Sequence, residues 1–168
     1  NNHLVGKAII KRDFKKAVGL VLENNGDMEN KMKQYLENNK NDYIGALRLI
    51  PLKTSRLFVH SYQSFLFNRT ISQYLKDNKK NQKNIKIPII GFDFEITSIK
   101  NKQLKNITKK IIDEEKINPR DFIISQIPEL TSEGSFRDLF FDLKFKIWDI
   151  DNDELNKEKR KIKINFTL

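Results

Sequence analysis

Apolar residues recur at helical spacing through most of the chain and at strand spacing near its end. Leu4, Ala8 and Ile9 mark a first helix. Asp13 then reads as the N-cap of a second helix carrying Phe14, Ala17, Val18, Val21 and Leu22. Asn24, Asn25 and Gly26 end it, because Asn and Gly tolerate the left-handed backbone of a helix stop. Asp27 is expected to cap a third helix that presents Met28, Met32, Tyr35 and Leu36. Residues 43–50 predict a short helix stopped by Pro51, and residues 54–76 predict the longest helix of the chain. A Lys/Asn run over 77–86 predicts an exposed loop. The apolar segment Ile87, Pro88, Ile89 and Ile90 follows, with Gly91 marking a turn or a close backbone approach. Residues 100–115 predict a helix with Leu104, Ile107, Ile111 and Ile112 turned inward, and Asn118 and Pro119 begin a further short element. The period then changes to two. Leu139, Phe141, Leu143, Phe145 and Ile147 alternate with polar positions, as do Ile162, Ile164, Phe166 and Leu168. The charged stretch 149–161 would join them as an antiparallel hairpin with a long loop. The expected fold is therefore α+β, with helices over about 1–117 and a C-terminal strand hairpin over about 137–168. The helices should pack on a small, mainly antiparallel sheet. The strand pattern is still running at Leu168, which predicts a piece of a longer protein.

The long helix carries two distinct sides. At ~100° per residue, Phe58, Tyr62, Phe65 and Leu66 cluster with Val59 at their margin, a normal core stripe. The opposite side carries Arg56, His60, Gln63, Ser64, Phe67 and Asn68. A solvated side more often carries Lys and Glu in pairs one turn apart. This mixture of a cation, amides, a hydroxyl and an aromatic is either an ordinary solvent face or a second contact surface, for RNA or for another domain. The outer face of the helix at 100–115 carries Lys102, Lys105, Lys109 and Lys110, an RNA-facing stripe or a solvated one.

Composition narrows the possible chemistry. The 168 residues include no cysteine, which removes disulfides, thiolate catalysis and zinc–thiolate sites. His3 and His60 are the only histidines, so no histidine-rich metal site can form. No window approaches the ~20 apolar residues of a membrane span, and no signal-peptide pattern opens the chain. These features fit a cytoplasmic location. The formal net charge is +10, which favours a polyanionic partner such as nucleic acid. Abundant Lys, Asn and Ile also rise together in AT-rich genomes, so charge alone leaves that partner open. Glycines are isolated and form no phosphate loop. Ser64 and His60 lie one turn apart without an evident orienting group, and Asp93 and Glu95 could share a strand face. A turn role suits Asp93 better. From residue chemistry alone, the chain reads as a basic binding module.

The run Arg56-Leu57-Phe58-Val59-His60-Ser61-Tyr62-Gln63-Ser64-Phe65-Leu66-Phe67-Asn68 adds a specific signal. It resembles the F-x-H-A-Y-Q-S-x-L-F-N helix of TruD-type tRNA pseudouridine synthases, particularly the archaeal branch. Asn2-His3-Leu4-Val5-Gly6 resembles the segment just after that family's N-Y-F-G-x-Q-R-F-G motif, and Asp42 to Arg48 resembles the stretch before its long helix. Pro88-Ile89-Ile90-Gly91-Phe92-Asp93 is similar to P-L-x-G-Y-D, with Phe92 where Tyr is frequent. Pro119-x-Asp121-Phe122, Pro128-Glu129-Leu130 and Gly134-x-Phe136-Arg137 resemble the region leading to the final strands, with Phe136 where Arg is common.

The resemblance implies an enzyme that isomerises uridine in tRNA, typically uridine 13, to pseudouridine without a metal or organic cofactor. The target nucleotide must leave its stack, at a cost of a few kcal/mol. The family's catalytic Asp lies in a G-T-K-D type motif that has no counterpart here, so no catalytic residue is expected in this chain. Residues 1–168 then resemble the insertion domain, with tRNA and the enzyme's own catalytic domain as partners. Arg56, His60, Gln63, Ser64, Asn68 and Arg137 are the expected RNA-binding or cleft-lining residues. Arg56 and Arg137 would suit phosphates, while Gln63 and Asn68 would bond RNA or hold the other domain. The alternative is a stand-alone basic RNA-binding module without catalysis.

Overall fold

In the computed structural model, residues 1–77 and 85–139 are described. Among them, four helices precede the longest one: α1 (Asn2–Ile10), α2 (Phe14–Leu22), α3 (Asp27–Asn38) and α4 (Tyr43–Arg48). Then come α5 (Leu52–Asp77), strand β1 (Lys86–Ile89), helix α6 (Lys102–Glu115) and strand β2 (Ser135–Asp138). Short 3-10 turns at Ile96–Ser98, Pro119–Phe122 and Pro128–Leu130 link the later elements.

The caps explain the boundaries. Asp13 accepts from the Lys16 N–H, Asp42 from Gly45 and Asn101 from Leu104, each satisfying a donor of a first helical turn. The third helix departs from expectation: Gly26 is its N-cap, and Asp27 lies inside the first turn, where its charge still favours the positive end of the helix dipole. α5 also begins two residues earlier than expected. Pro51 stops α4, yet its carbonyl accepts from the N–H groups of Thr54 and Ser55, so the same proline starts α5. At the end of α6 no glycine is present, and Lys116 itself takes the left-handed conformation with φ 53°.

α5 is the centre of the packing. α1 and α6 lie against it, β1 packs on it, and α2, α3 and α4 extend the helical layer beyond α1. Phe58, Val59, Tyr62 and Leu66 of α5 meet Val5, Ile9, Leu104, Ile111 and Phe122 in one continuous core. Gly6 sets the spacing between α1 and α5. A Cβ there would lie 2.0 Å from the Phe58 carbonyl oxygen, so only a hydrogen fits.

The two strands pair antiparallel, with Ile87 opposite Arg137 and Pro88 opposite Phe136. The small antiparallel sheet agrees with the expected α+β class. Its pairing is one that periodicity did not indicate, since β1 finds its partner in Ser135–Asp138. Apart from Leu139, whose N–H donates to the Ile85 carbonyl at 2.7 Å, the predicted hairpin of the 139–147 and 162–168 alternations lies outside the described residues. Gly91 makes the close approach expected of it: a Cβ would sit 2.1 Å from backbone atoms of Glu133 and Gly134.

Two glycines in helices should respond oppositely to alanine. Gly6→Ala must push α1 off α5 and is expected to cost about 1–3 kcal/mol. Gly19→Ala adds a methyl with nothing within 4 Å and is expected to stabilise by roughly 0.5–1 kcal/mol through helix propensity. Urea unfolding midpoints of the two variants check both signs.

Candidate functional site

The mixed side of α5 divides into a seam covered by this chain and a half left open. Arg56, Gln63 and Phe67 lie along the seam. The Arg56 Nε–H donates to the Glu129 carbonyl at 3.1 Å. Gln63 is only 5 % exposed, and its amide nitrogen donates to the carbonyls of Ile90 and Glu133, both at 2.9 Å. The Arg137 guanidinium stands 5.9 Å from the Phe67 ring centroid. The expectation that Gln63 faces outward with its neighbours is therefore corrected. β1 and the segment around Glu133 cover that side of the helix, and the buried amide is spent on holding two backbone stretches together. The same junction is fastened from outside α5. Phe92 N–H donates to the Ser132 carbonyl at 3.0 Å, and Gly134 N–H donates to the Asp93 carboxylate at 2.6 Å. Asp93 thus takes the turn role suggested by its sequence context, and residues 91–95 form no strand on which it could pair with Glu95.

His60, Ser64 and Asn68 occupy the open half and are all exposed. Together with Leu57, Phe65 and His3 they line a shallow pocket of about 500 Å³. The pocket brings together three of the six residues expected from the sequence. Arg56 and Arg137 are exposed but lie on the seam, and Gln63 is inside. On α6, Lys102, Lys109 and Lys110 are exposed, and Lys110 lies 3.8 Å from Glu114. No group of His, Asp or Glu among the described residues could hold a metal ion.

One wall of the pocket is an aromatic stack. The His3 ring lies 4.7 Å from Phe65, with 15° between the planes. Phe65 is fixed in turn by Tyr62, 6.0 Å away and nearly parallel, and by the Arg69 guanidinium at 5.7 Å from its centroid. Behind them sits Glu115, at the end of α6. It accepts from Lys7 at 2.6 Å and from the Tyr62 hydroxyl at 3.0 Å, and it pairs with Arg69, which also reaches Glu114 at 2.7 Å. Burial pushes the Glu115 carboxyl up, but the bonds from Lys7 and Tyr62 and the charges of Lys7 and Arg69 outweigh it. The net direction is downward, so the group is ionised. Burial, and after it the Glu115 charge and hydrogen bond, raise the Tyr62 phenol.

Sequence reasoning did not single out His3, Arg69 or Glu115 for this site. His3 entered only through a motif and the histidine count, and Glu115 only as a helix boundary. Their roles come from contacts between residues 46 to 108 positions apart, for which no local pattern exists.

The family model for tRNA pseudouridine synthase D (TruD) matches residues 21–86 and 75–168. A protein of Methanopyrus kandleri named "Probable tRNA pseudouridine synthase D" is 29% identical over 118 residues, covering 64% of this chain and 29% of its own length. Proteins with the same name from Nanoarchaeum equitans and Methanosarcina acetivorans are 28% and 24% identical. They cover 86% and 99% of this chain, and 50% and 53% of their own lengths. The chain thus spans about half the length, or less, of these curated relatives. The alignment with the Methanosarcina acetivorans protein runs over 238 residues against the 168 of this chain, so that relative carries segments with no counterpart here. A crystal structure from Methanosarcina mazei, described as a "tRNA pseudouridine synthase D (TruD)", superposes with a TM-score of 0.74 at 21% identity. It covers 93% of this chain and 51% of its own. That likeness establishes a shared fold. No helix among the described residues is long and apolar enough to cross a membrane.

The Glu115 network makes stability depend on pH. A carboxyl held below its unfolded value contributes fully above the ordinary carboxylate range, and that contribution is lost as pH falls through the folded value. Glu115→Gln is expected to cost about 1–3 kcal/mol at pH 7. The difference from the unmodified chain should shrink as acid protonates Glu115. Urea unfolding of both proteins at a series of pH values checks the trend.

Proposed function

The chain belongs to the tRNA pseudouridine synthase D (TruD) family, and on that footing we propose that it forms part of an enzyme converting uridine in tRNA, typically uridine 13, to pseudouridine. In this reading the chain is the family's insertion domain, supplies RNA binding, and forms one wall of the active-site cleft. The catalytic Asp lies outside its 168 residues, and the catalytic domain is its protein partner. No cofactor is invoked, because the reaction involves no net oxidation or reduction: the C1′–N1 glycosidic bond is broken, C1′ is rejoined to C5 of the same base, C5 loses its proton and N1 gains one. The enzyme would work in the cytoplasm, where tRNA is processed.

The observation that carries this reading is the family match across residues 21–168. Two features support it. The net charge of +10 suits a polyanionic substrate. The open half of the α5 side presents hydrogen-bonding groups beside an aromatic wall, as single-stranded RNA recognition requires. We assign Arg56 and Arg137 to phosphates and His60, Ser64 and Asn68 to the cleft. Gln63 acts on the cleft through the backbone it holds.

Two measurements test the proposal. Pseudouridine formation on a tRNA transcript is followed with this chain and, in parallel, with the Nanoarchaeum equitans relative. The relative is expected to convert the tRNA, and this chain is expected to bind it without conversion. Conversion by this chain alone would assign the chemistry to one of its own carboxylates. If neither protein converts tRNA and this chain still binds it, a basic RNA-binding module replaces the enzyme reading. The second measurement is the salt dependence of tRNA binding. Arg56→Ala and Arg137→Ala should each flatten the slope of log K against log salt by roughly 0.7–0.9, one phosphate's worth. Gln63→Leu should leave the slope unchanged. An unaltered slope in the arginine variants removes them from the phosphate contacts.

A further inference from the structure

We propose that the His3 ring, backed by Phe65, is a stacking platform for one unpaired nucleobase of the bound RNA, with His60, Ser64 and Asn68 recognising that base's edge. The inference rests on the reading that this chain binds tRNA and names the group its open pocket takes.

Three observations point to a base. The first is the stack. His3 is half-buried at 4.7 Å and 15° from Phe65, and it lines the pocket. Bases that leave a stack are held on aromatic side chains in this way, because every base has a π face to offer. The second is rigidity. Phe65 is held by Tyr62 and Arg69, and both of these are anchored on Glu115. A platform already fixed before binding loses little side-chain freedom when the ligand arrives.

The third is the chemistry of the lining. Among the described residues, no lysine, arginine, aspartate or glutamate side chain lines the pocket, so no side chain there supplies the point charge that holds a phosphate or the carboxylate that repels RNA. Its polar groups are amides, hydroxyls and imidazoles, which donate and accept and so match the mixed edge of a nucleobase. A protein docking surface would be expected to be more apolar at its centre.

The test uses the full chain with two probes. The first is a tRNA transcript titrated across a salt series. The second is a short single-stranded oligouridine RNA carrying one 2-aminopurine, whose fluorescence is quenched on stacking. The unmodified chain is expected to bind both and to quench the second. His3→Ala should bind the oligonucleotide about tenfold more weakly, with quenching lost and the salt slope unchanged. His3→Phe should restore quenching, since it keeps a ring on Phe65. Asn68→Ala leaves the stack in place and should weaken binding a few-fold with quenching retained. This variant separates edge recognition from any loosening of the α1–α5 contact.

Binding of tRNA without quenching, and with affinity unmoved by His3→Ala, overturns the platform and leaves the pocket as a protein-docking surface. In that case the RNA-binding reading survives. If the chain binds neither probe at physiological salt, the RNA-binding reading itself fails.

Discussion

A hydrogen in place of a side chain at Gly6 governs the architecture around the candidate site. It allows α1 to settle against the Phe58 carbonyl of α5, closer than any L residue would permit. The two helices run antiparallel, so the start of α1 lies over the middle of α5. His3, one turn before Gly6, therefore meets Phe65, two turns beyond Phe58. Lys7, one residue after Gly6, is brought to Glu115 at the end of α6. One close contact thus places both the ring that faces the pocket and the cation that anchors the support behind it.

Behind the pocket, charge is used for position. Glu115 is the meeting point of α1, α5 and α6, taking Lys7 from the first, Tyr62 and Arg69 from the second, and itself ending the third. A carboxylate this enclosed would be costly alone. Two cations and a phenol hold it ionised. The same guanidinium that pairs with it also stands over Phe65, so the ionic cluster and the aromatic wall are one mechanical unit. Of the lysines on the outer face of α6, Lys102 and Lys109 are exposed and add to the positive surface, while Lys110 stands 3.8 Å from Glu114, which Arg69 also reaches.

The mixed side of α5 has two separate jobs because its two edges meet different surroundings. Along one edge, Gln63 satisfies the carbonyls of Ile90 and Glu133, where the chain passes close to itself at Gly91 and Gly134. Along the other, His60, Ser64 and Asn68 remain open. Family membership alone does not separate these residues, since all of them sit in one motif. Burial separates them, and it turns an apparently uniform polar face into a fastener on one side and an open polar surface on the other.

Most of the helical layout was legible in the amino-acid sequence, because it follows from local rules. Asp13 and Asn118 cap the elements they precede, Pro51 ends one helix, and most core positions of α5 and α6 follow from a period of 3.6, although Phe65 and Ile112, expected inside, are only half-buried. The α+β class and the family were legible too, the second because several short motifs stand in order. The sequence could not decide which neighbour covers which side of a helix. Angular position along α5 places Gln63 among outward residues. Only Ile90, just past β1, and the loop at Glu133, arriving from 27 and 70 residues away, make it interior. The partner of β1 was hidden for the same reason: pairing between distant segments leaves no periodic trace in either one. Local hydrogen bonding and periodicity are properties of short stretches and can be read from them. The His3–Phe65 wall, the Glu115 cluster and the burial of Gln63 depend on how whole elements meet, and only the tertiary structure decides that.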